Sequence, residues 1–200
     1  MAAGTIHIVA QVGDVSIDAT VSRDYEGSIT EQGSLPAGKA GALSTRTDDN
    51  TGVATLGAGH GFQTGDKVDV FWAAGSRYGM EATVSGNDVT VDGGAGDNLP
   101  AQNTALVVTK RVPIAMAFAG DNLKLLVACC KTKRIRLTFE NAGGAALLSR
   151  DLPLGEPWSW VSDQGVANPL AGGSVASVQA ANGESDAAGT IQVAAKIDSM

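Results

Sequence analysis

Two stretches near the start of the chain, residues 6–12 and 15–21, alternate apolar and polar residues with a period of two. Such alternation is typical of a β-strand that buries one face. The turn-forming pair Gly13-Asp14 lies between them, so the pattern predicts an N-terminal β-hairpin. The apolar positions on its predicted buried face are Ile6, Ile8, Ala10, Val12, Val15, Ile17, Ala19 and Val21.

A hairpin of two strands is only marginally stable in water, so we expect this one to pair with a larger sheet. Residues 26–41 and 45–52 are rich in turn-forming residues and are predicted to be connections. The host sheet could be formed by the strands that follow directly or by those near the C-terminus. We favour the second arrangement, which makes residues 47–110 an insertion, because insertions are tolerated best where chain ends lie close together at the surface.

Short apolar runs separated by glycine-containing turns fill the middle of the chain. Their spacing of about ten residues is typical of a small antiparallel barrel or sandwich. The five strands are predicted at 53–56, 67–73, 77–84, 88–92 and 104–109.

Residues 112–197 repeat this style with seven further strands, which are enough for a sandwich. In one of them Arg134, Arg136 and Thr138 alternate with apolar residues, which predicts one solvent-exposed face and one buried face. These seven strands are predicted at 114–119, 123–130, 134–140, 146–149, 158–161, 174–180 and 190–197.

The patterns together predict an all-β chain, favoured over a mixed α+β fold because glycines interrupt the alanine-rich stretches within a helical turn or two. The predicted architecture is a small antiparallel barrel or sandwich plus a second β-sandwich. Residues 47–110 form the inserted barrel domain, and residues 1–46 and 111–200 together form the sandwich.

Composition agrees with many short elements, since 26 of the 200 residues are glycine and 44% are hydrophobic. The net charge of −7 argues against binding to phosphate backbones, so we expect no nucleic-acid partner. The most apolar windows, 112–119 and 123–130, are too short for a membrane helix of ~20 residues, and residues 1–12 lack the features of a signal peptide. We therefore expect no membrane partner.

The sequence contains few residues and motifs that are typical of a catalytic site. His7 and His60 are the only histidines, too few for a three-histidine zinc centre. The nucleophile-elbow, phosphate-loop and dinucleotide-binding motifs are missing. His60, between two glycines, could be a general base, but a turn residue is favoured. We predict no catalytic residue, no enzyme activity and no cofactor.

The glycine-rich run at 93–99 is similar to a calcium-binding nonapeptide, but its aspartate comes one residue early and the motif occurs once. Asp92 and Asp97, or residues 48–50 in another loop, carry oxygen ligands that suit a hard cation. Turn formation by Asp and Asn is favoured, so no metal site is predicted. The adjacent Cys129 and Cys130 would face opposite sides of a strand, which predicts free thiols and a reducing compartment of synthesis.

Lys131, Lys133, Arg134 and Arg136 form the one basic cluster of the chain. Such a cluster protects a solvent-exposed sheet edge against aggregation, and it could also dock an acidic neighbouring subunit. These four residues are therefore candidates for a binding surface.

Trp158 and Trp160 lie two residues apart and would share one face of a strand. Core packing is favoured, because buried tryptophan supplies area that an aromatic-poor chain otherwise lacks. The alternative is a platform that stacks on sugar rings, which would make the chain a glycan-binding or adhesin-like module.

The last predicted strand carries Ile191, Val193 and Ala195, with Lys196 as its nearby charge and Val175 and Val178 close in sequence. We expect it to be an open sheet edge, and such an edge has to be covered or paired with a neighbour.

Three motifs between residues 38 and 100 resemble structural proteins of tailed bacteriophages and prophages, over about a third of the chain. They are ALSTRTDDNTG at 42–52, GHGFxxGDxVDVxW at 59–72 and GxxGDxLP at 93–100. The resemblance implies a β-rich virion protein made in the host cytoplasm, and it transfers no catalytic residue. The open sheet edge predicts a homo-oligomer such as a trimer, and the resemblance implies other virion proteins as further partners.

Overall fold

The computed structural model describes residues 3–12, 15–24, 28–114, 116–130, 134–153, 157–162 and 165–197. Almost all of its elements are strands, which confirms the predicted all-β fold. Among the described residues the one helical element is a 3-10 turn at Gly120–Asn122, and no helix is long and apolar enough to cross a membrane.

The strands follow one another along the whole chain. Their bounds are β1 (Ala3–Val12), β2 (Val15–Asp24), β3 (Ser28–Leu35), β4 (Lys39–Arg46), β5 (Gly52–Leu56), β6 (Lys67–Trp72), β7 (Gly75–Ser85), β8 (Asp88–Gly96), β9 (Ala105–Lys110), β10 (Val112–Ile114), β11 (Phe118–Ala119), β12 (Leu123–Cys130), β13 (Arg134–Glu140), β14 (Ala146–Pro153), β15 (Trp158–Val161), β16 (Ser174–Val175), β17 (Ser177–Asn182) and β18 (Gly189–Ile197).

Strands β4 to β9 close into a six-stranded antiparallel barrel in the order β4-β5-β8-β7-β6-β9. Five of them match the five strands predicted in this part of the chain. Alternate residues of the strands fill the interior, for example Leu43, Val70, Met80 and Val91.

The sixth barrel strand, β4, corrects the prediction that residues 26–41 and 45–52 are connections. Its small residues reflect close packing, because a Cβ atom on Gly41 would lie 2.4 Å from the carbonyl oxygen of Thr55. The predicted domain boundary at residue 47 thus falls after a strand that pairs inside the barrel.

Two four-stranded antiparallel sheets, β10-β17-β13-β14 and β15-β12-β18-β3, share the second hydrophobic core. Leu137 of β13 and Leu126 of β12 are examples of side chains buried between them. The predicted strands 114–119 and 174–180 are each split in two, and their pieces β11 and β16 pair in a separate two-stranded sheet.

Strand β18 is not the open edge that its low charge suggested. It pairs with β12 on one side and with β3 on the other, and Ile191, Val193 and Ala195 are buried. The covering strand is β3, whose polar sequence SITEQGSL reads as a connection. Since β3 precedes the barrel and β18 follows it, the barrel lies between segments that pair with each other.

The predicted N-terminal hairpin is present, and β1 pairs with β2 in register from Ala3↔Asp24 to Val12↔Val15. Residues 13 and 14 lie outside the described part of the chain. The expected pairing with a host sheet is not found, because among the described strands β1 and β2 pair only with each other.

Candidate functional site

The barrel and the sandwich meet at a polar junction, formed by Arg111, Arg134 and Arg136 with their partners. Arg111 directly follows the last barrel strand. Its Nε donates to Asp69 Oδ1 of β6 at 2.8 Å, and its Nη1 donates to Glu140 Oε1 of β13 at 2.5 Å. One buried guanidinium thus connects a carboxylate of the barrel to a carboxylate of the sandwich.

Asp69 is the most enclosed charged group of this junction, with 1% of its surface exposed. Its Oδ1 also accepts the backbone N–H of Gly79 at 2.8 Å, whereas Oδ2 has no hydrogen-bond partner. Burial raises the pKa of the Asp69 carboxyl, against the opposing effects of the Arg111 charge and the Gly79 N–H.

Arg136, a candidate binding residue, spans the same junction. It makes two hydrogen bonds to the carboxylate of Asp151, at 2.7 and 2.6 Å, and one to Ser76 Oγ of the barrel at 2.7 Å. Its guanidinium lies 4.3 Å from the centre of the Tyr78 ring. The prediction that this face of β13 is exposed to solvent is therefore wrong: Arg136 is 8% and Thr138 1% exposed, because the barrel and neighbouring strands cover them.

The side chain of Arg134, in the sandwich, binds main-chain carbonyl groups of the barrel. It donates to the carbonyl oxygens of Trp72 at 2.9 Å and Gly75 at 3.1 Å, and lies 5.1 Å from the centre of the Phe71 ring. The predicted basic cluster is thus divided, with both arginines engaged between the units. Lys131 and Lys133 lie outside the described residues.

A cleft of about 380 Å³ opens beside Arg111 and Glu140. Its two lysines are paired with carboxylates, Lys110 with Asp66 at 2.6 Å and Lys67 with Glu81 at 3.6 Å. The charges at this cleft therefore balance locally, and the arrangement is that of a structural ion-pair network.

The two tryptophans belong to the core of the sandwich. Trp160 is 7% exposed, and its indole N–H donates to the carbonyl oxygen of Val166 at 3.1 Å. Trp158 is half-buried against Phe139, and Arg150 lies 5.7 Å from its ring centre. This is the arrangement that the core-packing interpretation predicts.

His60 orders the loop between β5 and β6. Its Nδ1 accepts the N–H of Phe62 at 3.1 Å, which leaves Nε2–H to donate to the carbonyl oxygen of Gly86 at 3.0 Å. Phe62 packs in the barrel core. The histidine therefore has the role of the turn residue that the sequence favours.

An arginine occupies the centre of the calcium-like run. The guanidinium of Arg77 donates to the carbonyl oxygens of Gly93, Gly94 and Asp97 at 2.6, 3.1 and 3.0 Å. Backbone oxygens of the kind that would bind a cation thus face a cationic side chain. Asp97 is engaged as well, since its Oδ2 accepts the N–H of Ser76 at 3.0 Å.

The acidic loop at residues 48–50 makes a turn. Asp48 accepts the backbone N–H groups of Asn50 and Thr51 at 2.6 and 2.7 Å, and the Asn50 bond is the main cause that lowers the pKa of Asp48. Asp92 accepts the Thr51 hydroxyl at 2.6 Å. Across the described residues, no group of three or more His, Cys, Asp and Glu side chains is placed to hold a metal ion.

Cys129 and Cys130 both keep their thiol groups and form no disulfide with each other, as predicted. Cys130 is buried and its Sγ donates to the carbonyl oxygen of Leu152 at 3.3 Å. Cys129 is partly exposed on the other side of β12.

Sequence reasoning missed three of the most connected charged residues, Asp69, Arg77 and Arg111. A signal was present for Asp69, since a lone carboxylate inside the apolar strand KVDVFW requires a buried partner. The identity of that partner, 42 residues further on, is a property of the folded chain. Comparisons with protein-family models, curated proteins and solved structures found no match for this chain.

Proposed function

We infer that this protein is a non-enzymatic structural subunit of a bacteriophage particle. It acts as an oligomeric β-rich building block that docks on neighbouring virion proteins, as a head decoration or as a tail or neck accessory protein. The observation that carries the proposal is that residues of the motifs resembling phage virion proteins make contacts that hold the barrel together.

The motif residues with described contacts build the barrel. His60 accepts the N–H of Phe62, which packs in the barrel core, and Arg46 donates to the carbonyl oxygen of Leu99, which packs in the same core. The glycine run surrounds Arg77. A segment whose polar groups are engaged in holding its own fold is suited to a building block.

The junction supports the same role. Arg111, Arg134 and Arg136 join barrel and sandwich through ion pairs and hydrogen bonds that are largely withdrawn from water. Such a junction gives the two units a defined relative position, which a subunit repeated around a particle requires. No observation favours the glycan-binding alternative, because both tryptophans pack in the sandwich core.

The test is to purify particles of the phage or prophage that encodes the chain by density-gradient centrifugation and to measure their protein content by mass spectrometry. We expect the 20.2 kDa chain at a constant ratio to the major structural proteins. Particles from a strain with an early stop codon in the gene are the control, and cryo-microscopy of both should show a density difference. Detection of the chain in the lysate but not in the particles would refute the proposal.

A further inference from the structure

The hairpin β1–β2 has an amphipathic pattern across both of its strands. In the observed register, four successive pairs place apolar residues opposite each other, and these pairs are on one face because they are two residues apart. The other face carries mainly polar residues, among them Asp18 and Asp24. The apolar pairs are Ile6↔Val21, Ile8↔Ala19, Ala10↔Ile17 and Val12↔Val15.

Two features of this hairpin have no partner among the described strands. Apart from isolated contacts, neither of its strands packs against another described element, which leaves its apolar face without a covering sheet. Its two outer edges, each a strand of ten residues, lack a neighbouring strand. Unpaired edges of this length favour pairing with another chain.

We propose that the hairpins of three copies of this chain close into one six-stranded antiparallel barrel, with their apolar faces inside. In this ring β2 of each copy pairs with β1 of the next. The strand directions remain antiparallel throughout, because each hairpin contributes one strand in each direction. The contact is heterologous and closes after three copies.

Closure of the ring buries the apolar face of each hairpin and gives both of its edges a hydrogen-bonded neighbour. A strand of ten residues is ~33 Å long and strands lie ~4.8 Å apart, so each hairpin has a face of ~320 Å² and three faces enclose ~950 Å² in total. This total is close to the ~1,000 Å² expected of a stable interface, before the edge hydrogen bonds are counted. Two hairpins stacked face to face would enclose ~630 Å² and would leave all four edges open.

The rest of the molecule supports this choice of partner. Six antiparallel strands already close into a barrel in this chain, at β4 to β9. Among residues with described side chains, Val166 is the one exposed large hydrophobic residue, at 61%. The described surface outside the hairpin therefore offers no comparable apolar area for self-association.

This inference deepens the proposed function by naming the partner as two further copies of the chain. The two can fail separately, because the trimer is measured on purified protein and the virion role is measured on particles. A trimer absent from particles refutes only the virion role, and a monomer found in particles refutes only the ring.

The experiment compares Ala19→Asp with Thr20→Asp in the full-length chain. These neighbours lie on opposite faces of β2, and each variant adds one negative charge. Sedimentation velocity at micromolar concentration should give three times the chain mass of 20.2 kDa for the wild type and for Thr20→Asp. Ala19→Asp should give a threefold lower mass, since its charge would lie inside the ring.

Hydrogen exchange on the wild type provides a test that needs no variant. Peptides from residues 3–24 should exchange slowly in the trimer and faster after dilution below its dissociation range, while peptides from residues 39–110 stay unchanged. A wild-type monomer or dimer, a trimeric Ala19→Asp, or equal dissociation of both variants would each overturn the proposal.

Discussion

The barrel and the sandwich solve the problem of sheet edges in different ways. Every strand of β4 to β9 has two neighbours, so the barrel is closed and uses one continuous segment of the chain. The sandwich takes strands from both sides of that segment, and its two sheets end at β10, β14, β15 and β3. A closed unit can be built locally, whereas an open one depends on strands that are distant in sequence.

The two units also contribute different groups to their junction. The sandwich supplies Arg134, Arg136 and Glu140, and the barrel supplies Asp69 and main-chain carbonyl oxygens. Each unit has its own apolar core. The apolar cores thus stabilise each unit, while charge and hydrogen bonds determine how the units are joined.

Removal of Arg111 should have the largest effect on the free energy of unfolding, because this residue connects the barrel to the sandwich. In Arg111→Met, Asp69 and Glu140 lose their shared counter-charge in a buried site, and we expect a loss of ~3–5 kcal/mol in the free energy of unfolding. The control Lys67→Met removes an exposed ion pair with Glu81 and should cost ~1 kcal/mol or less. Urea denaturation measures both, and equal losses would contradict the assigned role of Arg111.

A smaller effect, confined to the barrel, is expected from Gly94→Ala. Gly94 has a φ of +70°, and a Cβ atom there would lie 2.4 Å from the carbonyl oxygen of Tyr78. We expect a loss of ~2–3 kcal/mol. Its neighbour Gly93 has a similar φ of +74° but open space around it, so Gly93→Ala should cost ~1 kcal/mol.

Hydrogen exchange of the Gly94→Ala variant locates the damage. Amides of the barrel strands should exchange faster, while those of the two sandwich sheets keep most of their protection. A uniform increase across both units would mean that they unfold together, and the contrast between them would then be lost.

The smallest expected effect is a pH dependence that originates at Asp69. Because burial raises its pKa in the folded state, the folded chain binds more protons than the unfolded chain between pH 3.8 and that raised value. Its contribution to stability therefore falls as pH increases through this window, by at most ~1.4 kcal/mol per pH unit.

The measurement is the difference in unfolding free energy between wild type and Asp69→Asn from pH 3.5 upward. This difference should move against the wild type as pH rises. Glu81→Gln, at an exposed site, is the control and should show no such trend. A difference that moves in favour of the wild type would mean that Arg111 dominates and lowers the pKa of Asp69.

Several elements could be predicted from local patterns alone. The bounds of β12, β13 and β15 match the prediction, and the hairpin β1–β2 follows from alternation around a turn signal. The absence of a disulfide between Cys129 and Cys130 follows from strand geometry. At the candidate site, the turn role of His60 could be predicted, because glycine neighbours and side-chain type are local properties.

Other features required the folded chain. Polar β3 and small-residue β4 carry weak strand signals, and each is a strand because a distant partner pairs with it: β18 for β3, and β5 and β9 for β4. Arg136 is a further example. The alternation of residues in β13 predicts that its face is exposed to solvent, but the barrel covers it in the folded chain.

By itself, the sequence determined the all-β class and most strands of the barrel, because period-two alternation and glycine turns act over a few residues. Tertiary structure alone decided that β18 is central, that Arg111 joins Asp69 to Glu140, and that Arg77 fills the glycine run. These outcomes depend on which distant surfaces meet. A buried charge or an open strand edge specifies that a partner is needed, and only the packing of the whole chain selects it.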